Sequence, residues 1–137
     1  VWACDFDPQG RWMVTVSADH CLVLWRRADR GGTVLFEPCS RTWHAHRAPI
    51  YSVAWLPCAG GEYSIVATCS ADGSMALWRA SLSQHDGEDE ETEAVQFAEV
   101  QRFEDVHSAG EINCVAWHPK QSLLVSVGDD GLLKLWK

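Results

Sequence analysis

The sequence predicts an all-β fold composed of three consecutive antiparallel sheets. A short β-prone octet that ends in proline occurs three times, and after each copy an Asp lies six residues before a Trp. No segment shows a convincing amphipathic helical period, which leaves strands as the regular elements. Recurrence of one such unit is typical of repeat architectures, in which neighbouring units bury each other's faces.

The octet is the first element of each repeat. Its first residue is β-branched, its sixth is aromatic and its eighth is Pro, and the copies are residues 1–8, 50–57 and 112–119. Proline has no N–H for a sheet ladder, so a β-prone run that ends in Pro is typical of a strand that stops at a turn. We therefore expect three inner strands, with the position-six aromatics in the core: Phe6, Trp55 and Trp117.

A hairpin follows each octet. The turn segments are Ser17-Ala18-Asp19, Ser70-Ala71-Asp72-Gly73 and Gly128-Asp129-Asp130-Gly131, and each precedes a Leu-Trp pair. Asp-Gly between β-prone residues predicts a tight hairpin, because Gly adopts positive φ without steric cost. Each repeat therefore has a second and a third strand.

Fourth strands are predicted near residues 33–42 and 95–103, and the last repeat has no segment left for one. Two insertions, 26–32 and 83–93, are interpreted as loops, and the second is strongly acidic. These elements divide the chain into three units: 1–43 with an incomplete start, 44–104 with the acidic loop 83–93, and 105–137 without its outer strand.

The composition limits the possible functions. Apolar residues make up 47% and charged residues 22% of the 137 residues, which is typical of a globular protein. Eleven Lys and Arg against nineteen Asp and Glu give a net charge of −8, which would repel a phosphate backbone and argues against direct nucleic-acid binding. No apolar run approaches the ~18 residues of a bilayer span, so we expect no membrane association.

The cysteines are interpreted as small core residues in a reduced state. No C-x-x-C pair occurs, and most of the six lie within apolar runs. Cysteines of this kind are typical of cytosolic or nuclear proteins rather than of disulfide frameworks. The residues concerned are Cys4, Cys21, Cys39, Cys58, Cys69 and Cys114.

The Ser-x-Asp and Leu-Trp elements, with a His upstream, resemble the WD40 β-propeller family over the whole chain. The resemblance implies four-stranded antiparallel blades. Propellers have ~4–8 blades, so three do not close into a normal ring. We therefore expect a fragment of a seven-bladed propeller, with about four blades before Val1. A dimer of three-bladed chains that forms a six-bladed ring is the alternative.

The resemblance also implies a buried structural tetrad in each blade. In this network the Asp accepts from the imidazole, the imidazole donates to a Ser or Thr hydroxyl, and the hydroxyl reaches the Trp N–H. A buried carboxylate is costly unless it is hydrogen-bonded, so a complete network would make the blade rigid. The matching positions are Thr15, Asp19 and Trp25, then His46, Thr68, Asp72 and Trp78, then His107, Ser126, Asp130 and Trp136.

The same residue types argue against catalysis. His, Ser and Asp recur once per blade at one spacing, and no G-x-S-x-G segment accompanies them, so we interpret them as structural rather than as a hydrolase triad. His44 and His46 form an H-x-H pair without a companion ligand at metal-site spacing. No Gly-rich segment has the strand-to-helix setting of a phosphate loop. We expect no enzyme activity, no metal and no cofactor.

The three octets, in this order and with the Ala67-Thr68-Cys69 strand, resemble the C-terminal three blades of the WD40 subunit of the cytosolic iron–sulfur protein assembly (CIA) targeting complex. This resemblance implies a cytoplasmic scaffold, with the nucleus as a second compartment. It also implies that the cysteines are not cluster ligands. The implied partners are the other targeting-complex subunits and the apo iron–sulfur client proteins. The alternative is a WD40 adaptor of another kind, a reader of chromatin peptides or of ubiquitin-ligase substrates.

A partner site is predicted at the narrow top face, where the inner strands begin. Side chains alternate along a strand, so position two of each octet faces away from positions one and three. Large aromatics at such a place are typical of binding hot spots. The predicted partner-binding residues are Trp2, Tyr51 and Asn113 at position two, with His20, Arg47 and Glu111 beside them. The carboxylates of Asp5, Asp19 and Asp130 are not expected to form the acidic ring of a basic-peptide reader.

Overall fold

The computed structural model describes residues 1–57, 63–81, 96–108 and 110–137, and all regular structure within these ranges is β-strand. The predicted acidic loop 83–93 and Cys58 lie outside the described residues. The described ranges contain no helix long and apolar enough to cross a membrane.

The strands form three antiparallel sheets in chain order, which confirms the predicted fold class. The first blade has the order β1-β2-β3-β4 and the second the order β5-β6-β7-β8, while the third has β9-β10-β11 in the described part of the chain. Each sheet is thus a meander of adjacent hairpins, as repeated inner strands and tight turns require. The strands are β1 Ala3–Phe6, β2 Trp12–Val16, β3 Leu22–Arg30, β4 Thr33–Thr42, β5 Ile50–Trp55, β6 Tyr63–Ser70, β7 Met75–Ser81, β8 Phe97–Phe103, β9 Ile112–Trp117, β10 Leu124–Gly128 and β11 Leu133–Trp136.

The predicted loop at 26–32 is wrong for most of its length. Strand β3 continues to Arg30 and pairs with β4 up to the Arg30–Thr33 partners. Gly31 and Gly32 form the two-residue connection, with φ of 59° and 83°. Two consecutive positive φ values match the turn that suits the twist of a hairpin. The insertion is therefore a lengthened hairpin, in which Gly-Gly is the turn and the arginines before it are strand residues.

The core lies between the blades rather than within a single sheet. One buried cluster joins the first and second blades and includes Val14, Leu24, Ile50 and Trp55. A second cluster joins the second and third blades through residues such as Met75 and Ile112. Because the two faces of a strand alternate, each blade presents one apolar face to each neighbour, as the repeat pattern predicts.

The position-six aromatics differ in burial, contrary to the expectation that all three lie in the core. Trp55 is 3% exposed, whereas Phe6 is 49% exposed and Trp117 is half-buried. Trp55 lies in the middle blade and belongs to the buried cluster that joins the first two blades. Phe6 is the last residue of β1 and packs against Phe36 with a centroid separation of 5.5 Å. Trp117 donates its indole N–H to the Ala54 carbonyl at 3.0 Å.

The cysteine prediction is correct in part. Cys21 and Cys69 are buried, but Cys4, Cys39 and Cys114 are exposed. Cys4 and Cys39 belong to the first blade and Cys114 to the third, and each of these blades has a neighbour on one side only among the described residues. Local apolar sequence therefore did not ensure burial, because the covering face must come from another blade.

Candidate partner-binding site

One end of the molecule gathers the chain segments that precede the inner strands and the hairpins that follow them. The Ala45 amide donates to the His20 carbonyl at 3.0 Å, and the Val106 amide donates to the Gly73 carbonyl at 3.3 Å. These bonds tie each entering loop to the hairpin of the preceding blade. We call this end the top end; it comprises the hairpins 17–21, 70–74 and 128–132 and the loop segments 43–49, 104–108 and 110–111.

The predicted tetrad residues of the middle blade lie within hydrogen-bond distance of one another. His46 Nδ1 lies 3.2 Å from Asp72 Oδ2, and His46 Nε2 lies 2.7 Å from Thr68 Oγ1. Trp78 Nε1 donates to the same Thr68 oxygen at 2.8 Å. His46 and Thr68 are 2% and 0% exposed, so the network connects the top loop to two strands inside the blade.

Two groups of this network have a fixed role, because the Asp72 carboxylate only accepts and the Trp78 indole only donates. His46 Nδ1 lies 3.2 Å from the Asp72 acceptor and 3.2 Å from an Arg102 N–H donor. The Thr68 hydroxyl accepts from the indole, and the direction of its bond to His46 Nε2 is set by the tautomer of the ring.

The last blade repeats this arrangement, and the first contains half of it. His107 bridges Asp130 at 2.6 Å and Ser126 at 2.9 Å, and the Trp136 indole donates to Ser126 at 3.0 Å. His107 therefore occupies in the last blade the position that His46 occupies in the middle blade.

In the first blade, Trp25 donates to Thr15 at 2.9 Å. The Asp19 carboxylate instead accepts from the Cys21 amide and lies 3.9 Å from Arg41. Its side chain is 49% exposed.

Burial and hydrogen bonding oppose each other at the tetrad carboxylates. Burial raises the pKa of Asp72, but hydrogen bonds from His46, Ser74 and the Arg47 amide outweigh it and hold the pKa below its usual range. At Asp130 burial likewise raises the pKa, and hydrogen bonds from His107 and the Leu132 amide lower it further than burial raises it. Both groups are therefore carboxylates at neutral pH.

Arg102 of the outer strand β8 extends the middle network, a role that sequence reasoning missed. Its guanidinium donates to the Ser74 hydroxyl at 3.0 Å and to the Ala45 carbonyl at 2.6 Å. It also lies 2.6 Å from Glu99, three residues earlier on the same strand. The outer strand, the top loop and the hairpin are thus joined through one side chain. The predicted β8 region gave no sign of this, because a charged residue on an outer strand usually faces solvent.

Trp2 and Tyr51 come together at the top end. Their rings meet edge to face, with centroids 6.0 Å apart and an interplanar angle of 87°. Trp2 is 62% exposed although its amide is fixed to the Val16 carbonyl at 2.9 Å. The Tyr51 hydroxyl donates to Glu111 Oε2 at 3.0 Å. Three of the six predicted partner residues therefore form one cluster.

Position two of the octet projects at the top end for a reason other than simple alternation. The ladder of β5 shifts register between Ile50 and Ser52, so Tyr51 has no partner across the strand. The ladder of β9 shifts in the same way, which leaves Asn113 unpaired. A bulge bends the strand and redirects the extra side chain. Trp2 lies just before β1 and is outside the ladder altogether.

Asn113 joins the cluster through an acidic residue that sequence reasoning did not select. Its side-chain amide donates to Asp129 Oδ1 at 2.8 Å, and the Asp129 amide donates to the Glu111 carbonyl at 3.1 Å. The Asp-Asp-Gly turn could have indicated this residue. Its second Asp occupies the tetrad position, which leaves the first Asp available for another contact. We call these five residues the aromatic–acidic patch: Trp2, Tyr51, Glu111, Asn113 and Asp129.

The two remaining predicted residues lie apart from this patch. Arg47 pairs with Glu104 at 2.7 Å and lines a 280 Å³ cavity between the top loops. His20 occupies the left-handed turn position, with φ of 67°. In the described part of the chain, no hydrogen bond, ion pair or ring contact joins either residue to Trp2 or Tyr51, so polar and aromatic contacts do not join the six predicted residues into a single site.

Trp43 is a further exposed aromatic that the sequence analysis overlooked. It lies in the loop before β5, is 64% exposed and has the Arg41 guanidinium 4.8 Å from its ring centroid. The sequence could have indicated it, because this Trp belongs neither to an octet nor to a Leu-Trp pair and therefore has no structural role in the repeat pattern.

The opposite end of the inner strands carries a groove of about 370 Å³ with a mixed polar and apolar lining. Its walls are the ends of β1, β5 and β9, with the three prolines that terminate the octets and the side chains of Phe6 and Trp117. The expectation of no metal site stays a prediction.

Repeated antiparallel blades, each crossed by a hydrogen-bond network from hydroxyl to indole, define a β-propeller repeat protein. The family WD40, described as "WD domain, G-beta repeat", matches residues 1–26, 37–79 and 98–137. The chain therefore belongs to the WD40 family.

Two similar proteins carry names from iron–sulfur assembly. "Probable cytosolic iron-sulfur protein assembly protein 1" of Cryptococcus neoformans is 24% identical, across all of this chain and 35% of that protein. "Probable cytosolic iron-sulfur protein assembly protein CIAO1 homolog" of Caenorhabditis elegans is 30% identical, across all of this chain and 39% of that protein. "Nucleoporin SEH1-A" of Xenopus laevis is 26% identical, across 96% of this chain and 34% of that protein. The chain thus spans between a third and two fifths of the length of these relatives.

Proposed function

We propose that this chain belongs to a non-catalytic WD40 scaffold of the cytosolic iron–sulfur protein assembly machinery. The observation that carries the proposal is the match over the whole chain to relatives named as cytosolic iron–sulfur assembly proteins. In this role the protein holds the other subunits of a targeting complex and presents apo iron–sulfur proteins for late cluster insertion. It acts in the cytoplasm, with the nucleus as a second compartment.

The absence of catalysis is supported by the engagement of the side chains that could perform it. The Thr68 and Ser126 hydroxyls are 0% exposed, and each lies between an indole and an imidazole. The two histidines in contact with them are 2% exposed. A nucleophile must reach substrate, and these hydroxyls do not reach the surface.

The aromatic–acidic patch is the partner surface in this proposal. Exposed Trp and half-buried Tyr side chains on a fixed backbone are typical of binding hot spots. Glu111 and Asn113 contribute polar groups beside them, while Arg47 and His20 belong to a neighbouring part of the top end. The tetrads of the second and third blades hold the loops that lead to Tyr51 and Glu111, so they act by positioning and not by contact.

Replacement of the protein in cells tests the function. Cells depleted of the endogenous protein receive the wild type, a Trp2→Ala/Tyr51→Ala variant, or a Val34→Ala/Leu35→Ala control on the exposed first-blade hairpin. The measurement is incorporation of radioactive iron into cytosolic iron–sulfur proteins. We expect restoration by the wild type and the control and loss in the patch variant. Normal incorporation in depleted cells would contradict the proposal.

A scaffold role in another assembly is the second candidate. The similarity to nucleoporin SEH1-A, over 96% of this chain, favours it. The set of partners recovered from the intact protein separates the two candidates: iron–sulfur assembly factors support the first, and nuclear-pore proteins support the second. Chromatin-peptide and ubiquitin-ligase readers stay alternatives of the same generic class.

A further inference from the structure

We propose that the aromatic–acidic patch binds a basic segment of its partner, with an arginine or lysine side chain against Trp2 and Tyr51 and between the carboxylates of Glu111 and Asp129. This inference rests on the proposed partner-binding function and adds the chemistry of the partner.

The aromatic half of the patch suits a cation. Trp2 is 62% exposed, and the edge-to-face packing on Tyr51 fixes the angle of its ring. The Trp2 amide bond to Val16 anchors the backbone, so the ring is presented without a large ordering cost. A guanidinium or ammonium group over an indole face is attracted by the ring quadrupole, and Trp is the best aromatic for this contact.

The acidic half carries charge that has no counterpart. Among the described residues, no ion pair joins Glu111 or Asp129 to a basic side chain, whereas Glu99 and Glu104 each pair with an arginine. Within the described ranges, the Glu111 side chain accepts from the neutral Tyr51 hydroxyl alone, and the Asp129 side chain accepts from the neutral Asn113 amide. Two unpaired carboxylates beside an exposed aromatic ring make a surface complementary to a positive charge.

The Tyr51 hydroxyl interacts electrostatically with both carboxylates of the patch. The hydrogen bond to Glu111 raises the pKa of Tyr51, and the charges of Glu111 and Asp129 raise it further. The two acidic groups therefore act on the same point of the surface, next to the exposed ring. The net charge of −8 adds a long-range attraction for basic segments.

Two synthetic peptides test the proposal on the purified protein. Both are seven residues long, blocked at both ends and rich in Gly and Ser; one carries two arginines and the other carries neutral citrulline at the same positions. Binding is followed by NMR at the Trp2 indole N–H, which is assigned with a Trp2→Phe variant. We expect the arginine peptide to bind at least about tenfold more tightly than the citrulline peptide, and rising salt to remove the difference.

Variants locate the effect. Glu111→Gln/Asp129→Asn is expected to abolish the preference for arginine. Trp2→Ala, which lacks the reporting indole and is therefore followed by titration calorimetry beside the wild type, is expected to bind that peptide more weakly. The control Asp29→Asn/Glu37→Gln removes the same charge from the exposed first-blade hairpin and is expected to keep the preference. Thermal melting verifies the fold of each variant.

Equal binding of the two peptides, binding by neither, or a preference that survives in Glu111→Gln/Asp129→Asn would overturn the proposal. These outcomes are separable from failure of the scaffold function. If iron–sulfur assembly still depends on Trp2 and Tyr51 while the peptides bind equally, the scaffold proposal stands and the basic partner is wrong. If arginine is preferred but iron incorporation never depends on the protein, the scaffold proposal fails and the basic-segment site stands.

Discussion

Four hydrogen bonds of the middle blade converge on the carboxylate of Asp72. One carboxylate oxygen accepts from His46 and the Arg47 amide, and the other accepts from the Ser74 amide and hydroxyl at 2.8 and 2.6 Å. The side chain is 5% exposed. Removal of such an acceptor leaves buried donors without partners, and their desolvation is then uncompensated.

Asp72→Ala is therefore expected to lower the free energy of unfolding by about 3 kcal/mol, because it orphans several donors at once. Asp19→Ala is the matched control from the first blade. Its carboxylate is half-exposed and, among the described residues, accepts a single backbone hydrogen bond, from the Cys21 amide, so a loss below about 1 kcal/mol is expected. Chemical denaturation measures both values, and equal losses would contradict the special role of Asp72.

His20 holds a turn position that suits glycine. Its φ is 67°, and the equivalent residues of the other two hairpins, Gly73 and Gly131, have φ of 79° and 73°. A side chain in this region costs about 1–2 kcal/mol, whereas glycine loses about 0.5–1 kcal/mol in chain entropy.

We therefore expect His20→Gly to raise the free energy of unfolding by about 0.5 kcal/mol. Gly73→Ala makes the opposite change, and its new Cβ would lie 3.2 Å from the Gly110 carbonyl. Parallel melting curves of the two variants report the sign of each effect. Destabilisation by His20→Gly would show that the imidazole makes a contact that outweighs the backbone strain.

At the scale of elements, the octets and the Asp-to-Trp spacing predicted the strands and hairpins because both signals are local. The pattern failed where neighbouring elements decide the outcome. The hairpin between Arg26 and Gly32 could not be predicted from its own residues, because it depends on pairing with β4. The exposure of Phe6 depends on whether another blade covers it. The bulge at Tyr51 could not be predicted, because it depends on the register of β5 against β6 and the octet sequence does not contain that information.

The candidate site was also predicted in part. Trp2, Tyr51 and Glu111 were selected from the sequence, and Asp129 was missed. The boundaries 1–43, 44–104 and 105–137 stay predictions.

Gly128 shows how tightly the third-blade hairpin packs on its histidine. A Cβ added there would lie 2.6 Å from His107 Cγ and 2.8 Å from the Glu111 carbonyl oxygen. Neither atom can move without loosening the loop that presents the aromatic–acidic patch.

Gly128→Ala is expected to lower the free energy of unfolding by about 2 kcal/mol through this overlap. Gly10→Ala is the comparison, because Gly10 has φ of 67° and nothing within 4 Å of a new Cβ. It introduces backbone strain alone, about 1 kcal/mol. The measurement is again denaturant unfolding, and a Gly128→Ala effect no larger than that of Gly10→Ala would contradict the packing at His107.

At the scale of the whole molecule, acid should destabilise the fold through the network carboxylates. Burial raises the pKa of Asp72, yet its hydrogen bonds set the folded value below the unfolded one, near 3.8. Such a group stabilises the fold above its unfolded pKa, and this contribution is lost as the pH falls toward the folded value. The melting temperature should therefore fall between about pH 5 and about pH 3. Asp72→Asn should show a shallower fall, and identical slopes would contradict the assignment.

The proposed scaffold function depends on the top end of the molecule as a whole. The blades supply rigidity, the tetrads fix the entering loops, and the patch presents the exposed Trp2 ring beside two carboxylates that have no ion-pair partner among the described residues. Loss of the aromatic anchors should therefore remove partners without loss of the fold.

Affinity capture from cytosolic extract tests this claim most directly. The intact protein is compared with Trp2→Ala/Tyr51→Ala and with the Val34→Ala/Leu35→Ala control, and the recovered proteins are identified by mass spectrometry. We predict that the wild type and the control recover iron–sulfur assembly factors and apo iron–sulfur proteins, and that the patch variant loses them while its melting temperature stays close to that of the wild type. Recovery of the same factors by the patch variant, or of nuclear-pore or chromatin proteins by the wild type, would contradict the account.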